Sequence, residues 1–390
     1  MRRWLVLAVL LAAGCGNAPA SASHPAPSGG AAGARSSPSA DTSPAGETLF
    51  AVLEPGGDFA QMRNDVVAIV RPNGVARARA TFKRRQLPRM RAALTLPQPE
   101  ARVADGKVFY ADGGGTVRSL AVDGSVSEVT AFPLTDPQQA LSFAVSPDGS
   151  QLMGAILQYP PYTSSLSPTS DPAGGGSGFS LQLLAATPGA EATSVLTKSW
   201  QQSGEVPGDV LSMVGWSSSS ALATIDTDVA MQQRTEGRRM FGHVADIDRS
   251  GKPGLTVGGS DCRPWTILPD ETALCDDGGY QNVSIRSRGG GVLFQLPQSP
   301  GDQYVNLTLS PDAARVGYQT PSGSGFVLDR TGNRTPLPAG FQPQGWLDSS
   351  TLIGAVGQGS GDMALVRLGN PARAVDLGFK GFFVGALPGA

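Results

Sequence analysis

The stretch Ser142-Phe-Ala-Val-Ser-Pro-Asp-Gly-Ser-Gln-Leu-Met-Gly-Ala-Ile156 reads as two apolar strands joined by a tight turn. The residues at the centre of this stretch, Pro147, Asp148 and Gly149, favour a tight turn. Pro fixes φ, Asp caps nearby backbone N–H groups, and Gly adopts positive φ. Related stretches occur at 211–225, 265–275, 307–318 and 345–356, with a weaker one around residues 105–106. The central turn positions are Asp105, Asp148, Ser218, Asp270, Asp312 and Asp348.

The spacing of these turns indicates a repeat. They are mostly about 36–52 residues apart, which is the period of propeller blades, and an insertion at 159–178 accounts for one longer interval. Each unit continues with a second hairpin, as at 116–132, 243–257 and 326–332, where turns containing Asp and Gly join short strands. Each unit therefore holds four strands, and such units bury their faces by stacking around an axis.

Six units contain their own first strand, and the seventh is divided between the two ends of the chain. Residues 381–387 read as a strand followed by Pro388-Gly389, and residues 48–53 read as the strand that follows such a turn. The sequence therefore predicts an all-β fold over residues 48–390. We expect a β-propeller of about seven four-stranded blades, its ring closed by pairing of the N- and C-terminal strands, which removes exposed sheet edges.

The Ser-Pro-Asp-Gly turn at 146–149 resembles the repeats of TolB-like and WD-repeat-like bacterial propellers, and the resemblance covers roughly residues 48–390. It implies a propeller from a class that includes periplasmic scaffolds, binding proteins and some hydrolases. The Trp-Asp dipeptide of eukaryotic WD repeats is absent from the sequence, so that subfamily is not assigned.

The start of the chain has the three parts of a secretory signal: Arg2 and Arg3, an apolar run from Trp4 to Ala13, and small Gly14. The apolar run is too short to span a bilayer. Residues 11–15, Leu-Ala-Ala-Gly-Cys, resemble the lipobox of bacterial lipoproteins, although the usual Leu three residues before the Cys is Ala12 here. The resemblance implies a signal peptide over residues 1–14 and acylation of Cys15, and an ordinary cleaved signal is the alternative.

Residues 15–47 follow as a predicted tether, since beyond the Cys they contain almost only Gly, Ala, Ser and Pro. Such a segment cannot bury enough apolar surface to offset its ordering entropy, and as a random coil it reaches about 30 Å. The predicted location is the extracytoplasmic face of the cell membrane, held there by the lipid.

Composition limits the partners. The net charge of −2 predicts no nucleic-acid partner, and 51 Gly with 31 Pro favour turns over long helices.

Besides Cys15 there are two cysteines, Cys262 and Cys275, which predict a disulfide in an oxidising compartment, with two buried free thiols as the alternative. Two Cys without a nearby His do not make a zinc site, and we predict no metal and no cofactor.

No catalytic set is evident. His24 lies in the tether, His243 in a predicted strand, and no Gly-x-Ser-x-Gly elbow is present. Asp246, Asp248, Ser250 and Gly251 match the start of a calcium loop, but Val257 stands where the bidentate acid is needed, so a hairpin turn is the preferred interpretation. The pairs Asp276-Asp277 and Asp246-Asp248 leave a glycosidase as the enzymatic alternative.

Three irregular segments, 83–91, 159–178 and 227–241, fall in connections between strand 4 and the next strand 1, or between strands 2 and 3, which share one face of a propeller. We therefore predict a locally basic binding face, with solvated loops of no special role as the alternative. Its residues are Lys83, Arg84, Arg85, Arg89, Arg91, Tyr159, Tyr162, Arg234, Arg238 and Arg239.

Taken together, these features favour a monomeric, non-enzymatic binding or scaffold lipoprotein whose partner is an envelope protein or an anionic polymer. A glycan-active hydrolase and an accessory sensor of a membrane signalling protein are the alternatives.

Overall fold

A computed structural model of the protein describes residues 48–56, 64–85, 101–158, 179–200, 212–225, 242–277, 282–297, 303–357, 361–369 and 374–387. Every regular element within these ranges is a β-strand. The strands form seven four-stranded antiparallel sheets, which are the blades of a seven-bladed β-propeller. The all-β prediction is confirmed.

The strands follow one another blade by blade. Blade 1 contains β1 (Leu49–Glu54), β2 (Asn64–Val70) and β3 (Ala76–Lys83), and its first strand is β28 (Phe382–Leu387). Blade 2 contains β4 (Arg102–Ala104), β5 (Lys107–Ala111), β6 (Thr116–Leu120) and β7 (Val126–Ala131). Blade 3 contains β8 (Gln139–Val145), β9 (Leu152–Gln158), β10 (Phe179–Ala186) and β11 (Thr193–Trp200). Blade 4 contains β12 (Ser212–Trp216), β13 (Ala221–Thr224), β14 (Val244–Ile247) and β15 (Pro253–Thr256).

The last three blades repeat the same order. Blade 5 contains β16 (Arg263–Ile267), β17 (Ala273–Asp276), β18 (Ser284–Arg286) and β19 (Val292–Gln295). Blade 6 contains β20 (Val305–Leu309), β21 (Arg315–Gln319), β22 (Gly325–Asp329) and β23 (Arg334–Pro336). Blade 7 contains β24 (Phe341–Asp348), β25 (Thr351–Val356), β26 (Asp362–Arg367) and β27 (Val375–Lys380).

Blade 1 closes the ring as the sequence predicts. Its sheet has the order β28-β1-β2-β3, so the last strand of the chain is the first strand of this blade. The pairing begins with Leu49 opposite Leu387 and Phe50 opposite Ala386. Both ends of the described chain are thereby held in one sheet.

The hydrophobic core is divided into seven clusters, and each of them lies between two neighbouring blades. Leu181 of blade 3 shares a cluster with Met213 of blade 4. Phe50 of blade 1 shares one with Met363 of blade 7, so the ring is also closed by packing. This arrangement follows from strands with apolar side chains on both faces, each of which a neighbouring blade buries.

The repeated turn explains why these sequences form hairpins. In the turn after β8, the Asp148 carboxylate accepts hydrogen bonds from the Ser146 hydroxyl at 2.6 Å and the Ser150 backbone N–H at 3.1 Å. Gly149 has a φ of 71°, which is the conformation that favours glycine. The hydroxyl groups of Ser146 and Ser150 stabilise the ionised carboxylate and lower the pKa of Asp148 to about 2.

The two ends of the propeller differ. Connections between strands 1 and 2 and between strands 3 and 4 lie at one end, here called the turn end, and most are short turns such as 105–106 and 121–125. Connections between strands 2 and 3, and from strand 4 to the next blade, lie at the other end, here called the loop end. Eight of these loop-end connections contain residues outside the described ranges: 57–63, 86–100, 159–178, 201–211, 226–241, 278–281, 298–302 and 358–360.

Candidate functional site

The strands that flank all three predicted binding segments end at the loop end. The first segment follows β3, the second joins β9 to β10, and the third joins β13 to β14. Seven of the ten predicted residues lie outside the described ranges, and their role stays a prediction: Arg89, Arg91, Tyr159, Tyr162, Arg234, Arg238 and Arg239. Lys83, Arg84 and Arg85 are described, and they have three different environments.

Arg84 is buried in an ion pair. Its Nε donates to Asp65 Oδ2 and its Nη2 to Asp65 Oδ1, both at 2.6 Å, and the side chains of Arg84 and Asp65 are 5% and 1% exposed. The Gly56 backbone N–H donates to Asp65 Oδ1 at 2.9 Å. Arg84 therefore holds the ends of β2 and β3 together and does not present its charge at the surface, in contrast to its predicted place on a binding face.

Arg85 binds blade 2. Its Nη1 donates to the Gly113 carbonyl oxygen at 3.0 Å and its Nη2 donates to the Asp136 carbonyl oxygen. The Gly113 backbone N–H in turn donates to the Lys83 carbonyl oxygen at 2.8 Å. Burial lowers the pKa of Arg85, and the nearby Asp136 charge opposes this effect. Arg85 thus fixes the start of the connection between blades 1 and 2.

The Lys83 side chain is exposed, and it continues a pattern along β3. Exposed and more buried residues alternate in the sequence Ala76-Arg-Ala-Arg-Ala-Thr-Phe-Lys83, so that Arg77, Arg79 and Lys83 share one exposed face. We call these three residues the β3 basic stripe. The sequence interpretation included only Lys83, although the period-two alternation of Arg with Ala would have identified the other two.

The predicted disulfide is present. Cys262, which directly precedes β16, is bonded to Cys275 in β17, and both residues are fully buried. They belong to the cluster between blades 4 and 5. Gly258 packs on both sulfur atoms, since a Cβ there would lie 2.5 Å from Cys262 Sγ and 2.6 Å from Cys275 Sγ. The disulfide therefore stabilises the entry of the chain into blade 5 at the loop end.

The acid pair Asp276-Asp277 is divided between two partners. Asp276 is 1% exposed and accepts a hydrogen bond from the Trp265 indole N–H. Asp277 accepts from the Asn282 side-chain amide. A glycosidase requires carboxyl groups that reach substrate, and the burial of Asp276 does not favour that role.

The other acidic residues that the sequence singles out belong to a hairpin. Asp248 Oδ1 accepts from the backbone N–H groups of Ser250 at 2.8 Å and Lys252 at 3.0 Å, in the turn between β14 and β15. Asp246 forms an ion pair with Arg288 of blade 5 at 2.9 Å. These contacts agree with the preferred hairpin interpretation. Within the described ranges, no three His, Cys, Asp or Glu residues converge to hold a metal ion.

Arg102 joins three blades near the centre of the ring. It is the first residue of β4, its Nε donates to the Phe143 carbonyl oxygen at 3.1 Å, and its Nη2 lies 3.4 Å from the Met213 carbonyl oxygen. The sequence interpretation missed it, because both acceptors are far away along the chain.

None of the described segments forms a helix of the length and apolarity that a bilayer crossing requires.

Comparison with known proteins finds no family model and no curated protein that matches the chain. Virginiamycin B lyase from Staphylococcus aureus is 14% identical with a TM-score of 0.41, and the match covers 72% of this chain and 84% of the lyase. BamB from Moraxella catarrhalis is 11% identical with a TM-score of 0.37, covering 76% of this chain and 73% of BamB. Acylaminoacyl peptidase from Pyrococcus horikoshii is 11% identical with a TM-score of 0.47, covering 81% of this chain and 49% of the peptidase.

Similarities at this level carry no inference about activity or partners. The seven-bladed architecture rests on the strand pairing itself. Membership of the TolB-like or WD-repeat-like families stays a prediction from the turn sequences.

Proposed function

We propose that the protein is a lipid-anchored binding module of the cell envelope, which holds a partner on the loop end of its propeller. The observation that carries this proposal is the difference between the two ends. The longer connections collect at one end of a closed ring of seven blades, as expected where a rigid scaffold presents binding loops.

The point at which the chain enters the propeller also supports a partner site at the loop end. Residue 48 leads into β1, which is the second strand of blade 1 and therefore begins at the turn end. A lipid on Cys15 would attach the propeller through the 15–47 tether at that end. The loop end would then be free for a partner, whether an envelope protein or an anionic polymer.

Site-specific photo-crosslinking in intact envelopes tests the proposal. A photoreactive residue is placed at Pro137 or Ser324 of the loop end and, as matched controls, at Glu191 or Ser349 of the turn end, all four of which are exposed. We expect adducts with one defined partner from the loop-end positions only. Equal adducts from both ends would contradict the proposal.

The anchor is tested separately, so that the two parts of the proposal can fail independently. In Cys15→Ala, loss of acylation should release the propeller from the membrane fraction, because the lipid is the anchor that the sequence provides. We expect the variant in the soluble extracytoplasmic fraction and the parent in the membrane fraction. Recovery of the parent itself in the soluble fraction would contradict the lipid assignment.

A further inference from the structure

The outer strand of blade 1 carries positive charge in a straight line. Arg77, Arg79 and Lys83 project from the same face of β3, all three exposed. Since an extended strand rises about 3.3 Å per residue, Arg79 lies about 6.6 Å from Arg77 and about 13 Å from Lys83 along the strand. The β3 basic stripe is therefore about 20 Å long.

Packing of the opposite face keeps the stripe outside. Ala78, Ala80 and Phe82 are buried in the cluster between blades 1 and 2. Because successive side chains of a strand point to opposite faces, this burial directs the intervening residues outward. β3 is also the edge of its sheet and is paired only with β2 among the described strands, so no described strand of blade 1 covers its outer edge.

The positive charge of the stripe is only partly balanced. Arg79 forms an ion pair with Glu54 at 2.9 Å, and its side chain remains 49% exposed. Arg77 and Lys83 have no carboxylate partner in the described part of the chain. On β27, the outer strand of the adjoining blade 7, Asp376 and Lys380 are both exposed and oppose each other in charge.

Protection of the sheet edge against aggregation does not account for this concentration of charge. A charge of either sign on an edge strand discourages pairing with another chain. The outer strands of the other blades carry fewer charged residues: Glu128 on β7, Lys198 on β11, Arg334 on β23, Asp376 and Lys380 on β27, and none on β15 or β19. Three cations on one face of one strand therefore call for a second explanation.

We propose that the β3 basic stripe binds a linear polyanion, a polymer with regularly spaced phosphate or carboxylate groups, laid along the edge of blade 1. A line of cations matches a chain of anions, because successive anionic groups of one polymer can reach all three side chains at once. Guanidinium groups suit such ligands because their fork pairs with two oxygens of one phosphate or carboxylate. This site lies along the outer strand of blade 1 and shares only Lys83 with the predicted binding face at the loop end.

The stripe binds through several weak contacts. Each exposed ion pair is weak by itself, so a polymer must engage all three side chains at once. Salt screens such contacts, and binding should weaken steeply as the ionic strength rises. A single phosphate or acetate ion should not compete measurably with the polymer.

Polymer binding by the purified full-length protein tests the proposal, with polyphosphate and polyglutamate as probes at about 0.05 M salt. The test variant is Arg77→Gln, Arg79→Gln, Lys83→Gln, and the matched control is Arg249→Gln, Lys252→Gln, Arg367→Gln, which removes the same charge from exposed positions elsewhere. We expect the stripe variant to bind at least about tenfold more weakly and the control within about twofold of the parent. The polymer that binds identifies the anionic group.

A gain of binding provides a second readout that a folding defect cannot imitate. In Glu54→Gln the carboxylate that pairs with Arg79 is removed, and we expect affinity for the polymer to rise by about two- to fivefold. The proposal is overturned if neither polymer binds the parent, or if the stripe and control variants weaken equally. It is also overturned if the stripe variant loses binding only to vesicles that contain anionic lipid, which would assign the stripe to a membrane surface.

Discussion

The Asp turns at the turn end and the Arg84 and Arg85 contacts at the loop end are held by bonds of different range. At the turn end, the Asp329 carboxylate accepts from backbone N–H groups two and four residues away, and Asp148 bonds only within its own turn. At the loop end, Arg84 binds a residue 19 positions away and Arg85 binds carbonyl groups 28 and 51 positions away. These Asp turns are thus formed by local sequence, whereas the contacts of Arg84 and Arg85 exist only after distant segments meet. Contacts of long range also occur at the turn end, where Arg288 forms an ion pair with Glu271 at 3.0 Å.

This difference predicts that the protein is more sensitive to substitution of Arg84 than to substitution of the Asp148 and Asp329 turn carboxylates. Local turn bonds to exposed carboxylates compete with water, while a buried charge pair leaves an uncompensated charge when one partner is removed. Substitutions at Arg84, at the disulfide and at the two turn carboxylates should therefore differ in the stability they remove.

The largest effect is expected from Arg84→Ala at the loop end. It leaves the Asp65 carboxylate, which is 1% exposed, without its guanidinium partner. We expect the free energy of unfolding to fall by about 3–5 kcal/mol, measured by urea denaturation. The double variant Asp65→Asn, Arg84→Gln should recover part of this loss, since no lone charge remains. A loss below about 1 kcal/mol for Arg84→Ala would contradict the comparison.

A smaller effect is expected from removal of the disulfide at the loop end. Cys262→Ala with Cys275→Ala opens a link between residues 13 positions apart, and chain entropy for a loop of this length gives about 3 kcal/mol. Thermal unfolding of the variant should match that of the parent treated with a reducing agent. An unchanged Tm after complete reduction would show that packing between blades 4 and 5 suffices.

The smallest effect is expected at the turn end, and it depends on pH. Hydrogen bonds from the Ser146 and Ser150 hydroxyls lower the pKa of Asp148 to about 2. The pKa of Asp329 is also lowered to about 2, chiefly by the hydrogen bond from the Thr331 hydroxyl. Both values lie below the ordinary 3.8, so the contribution of these groups is complete above about pH 4 and is lost as the pH falls through about 2.

Asp148→Asn with Asp329→Asn keeps the side-chain acceptor but removes the titration. We expect Tm to fall less between pH 4 and pH 2 in this variant than in the parent. The matched control is Asp376→Asn, an exposed carboxylate of blade 7. If all three proteins lose stability in parallel, the turn carboxylates do not contribute as described.

The same contrast explains how much the sequence could predict. The Ser-Pro-Asp-Gly turn and its relatives predict the hairpins, the blade order and the closing pair of strands, because local bonds form those turns. The environment of Arg84 was not predictable in this way. Asp65, 19 residues earlier, gives no local sign that it will lie beside Arg84, so an arginine-rich stretch reads as exposed.

Arg77 and Arg79 are two residues of the β3 basic stripe that the sequence pattern alone predicts. Arg77 and Arg79 alternate with small apolar residues, and that period places them on one face of a strand. By contrast, Arg102 required the folded ring, since its acceptors belong to two other blades.

The position of β28 has a consequence for how the protein is made. The strand that completes blade 1 consists of residues 382–387, and its partner β1 consists of residues 49–54. A chain that is synthesised amino-terminus first cannot close this ring until residues 382–387 have been made. Throughout that interval β1 and the newest blade each present an open edge to any other emerging chain. Pairing of β28 with β1 is therefore the step after which neither of these two edges remains open.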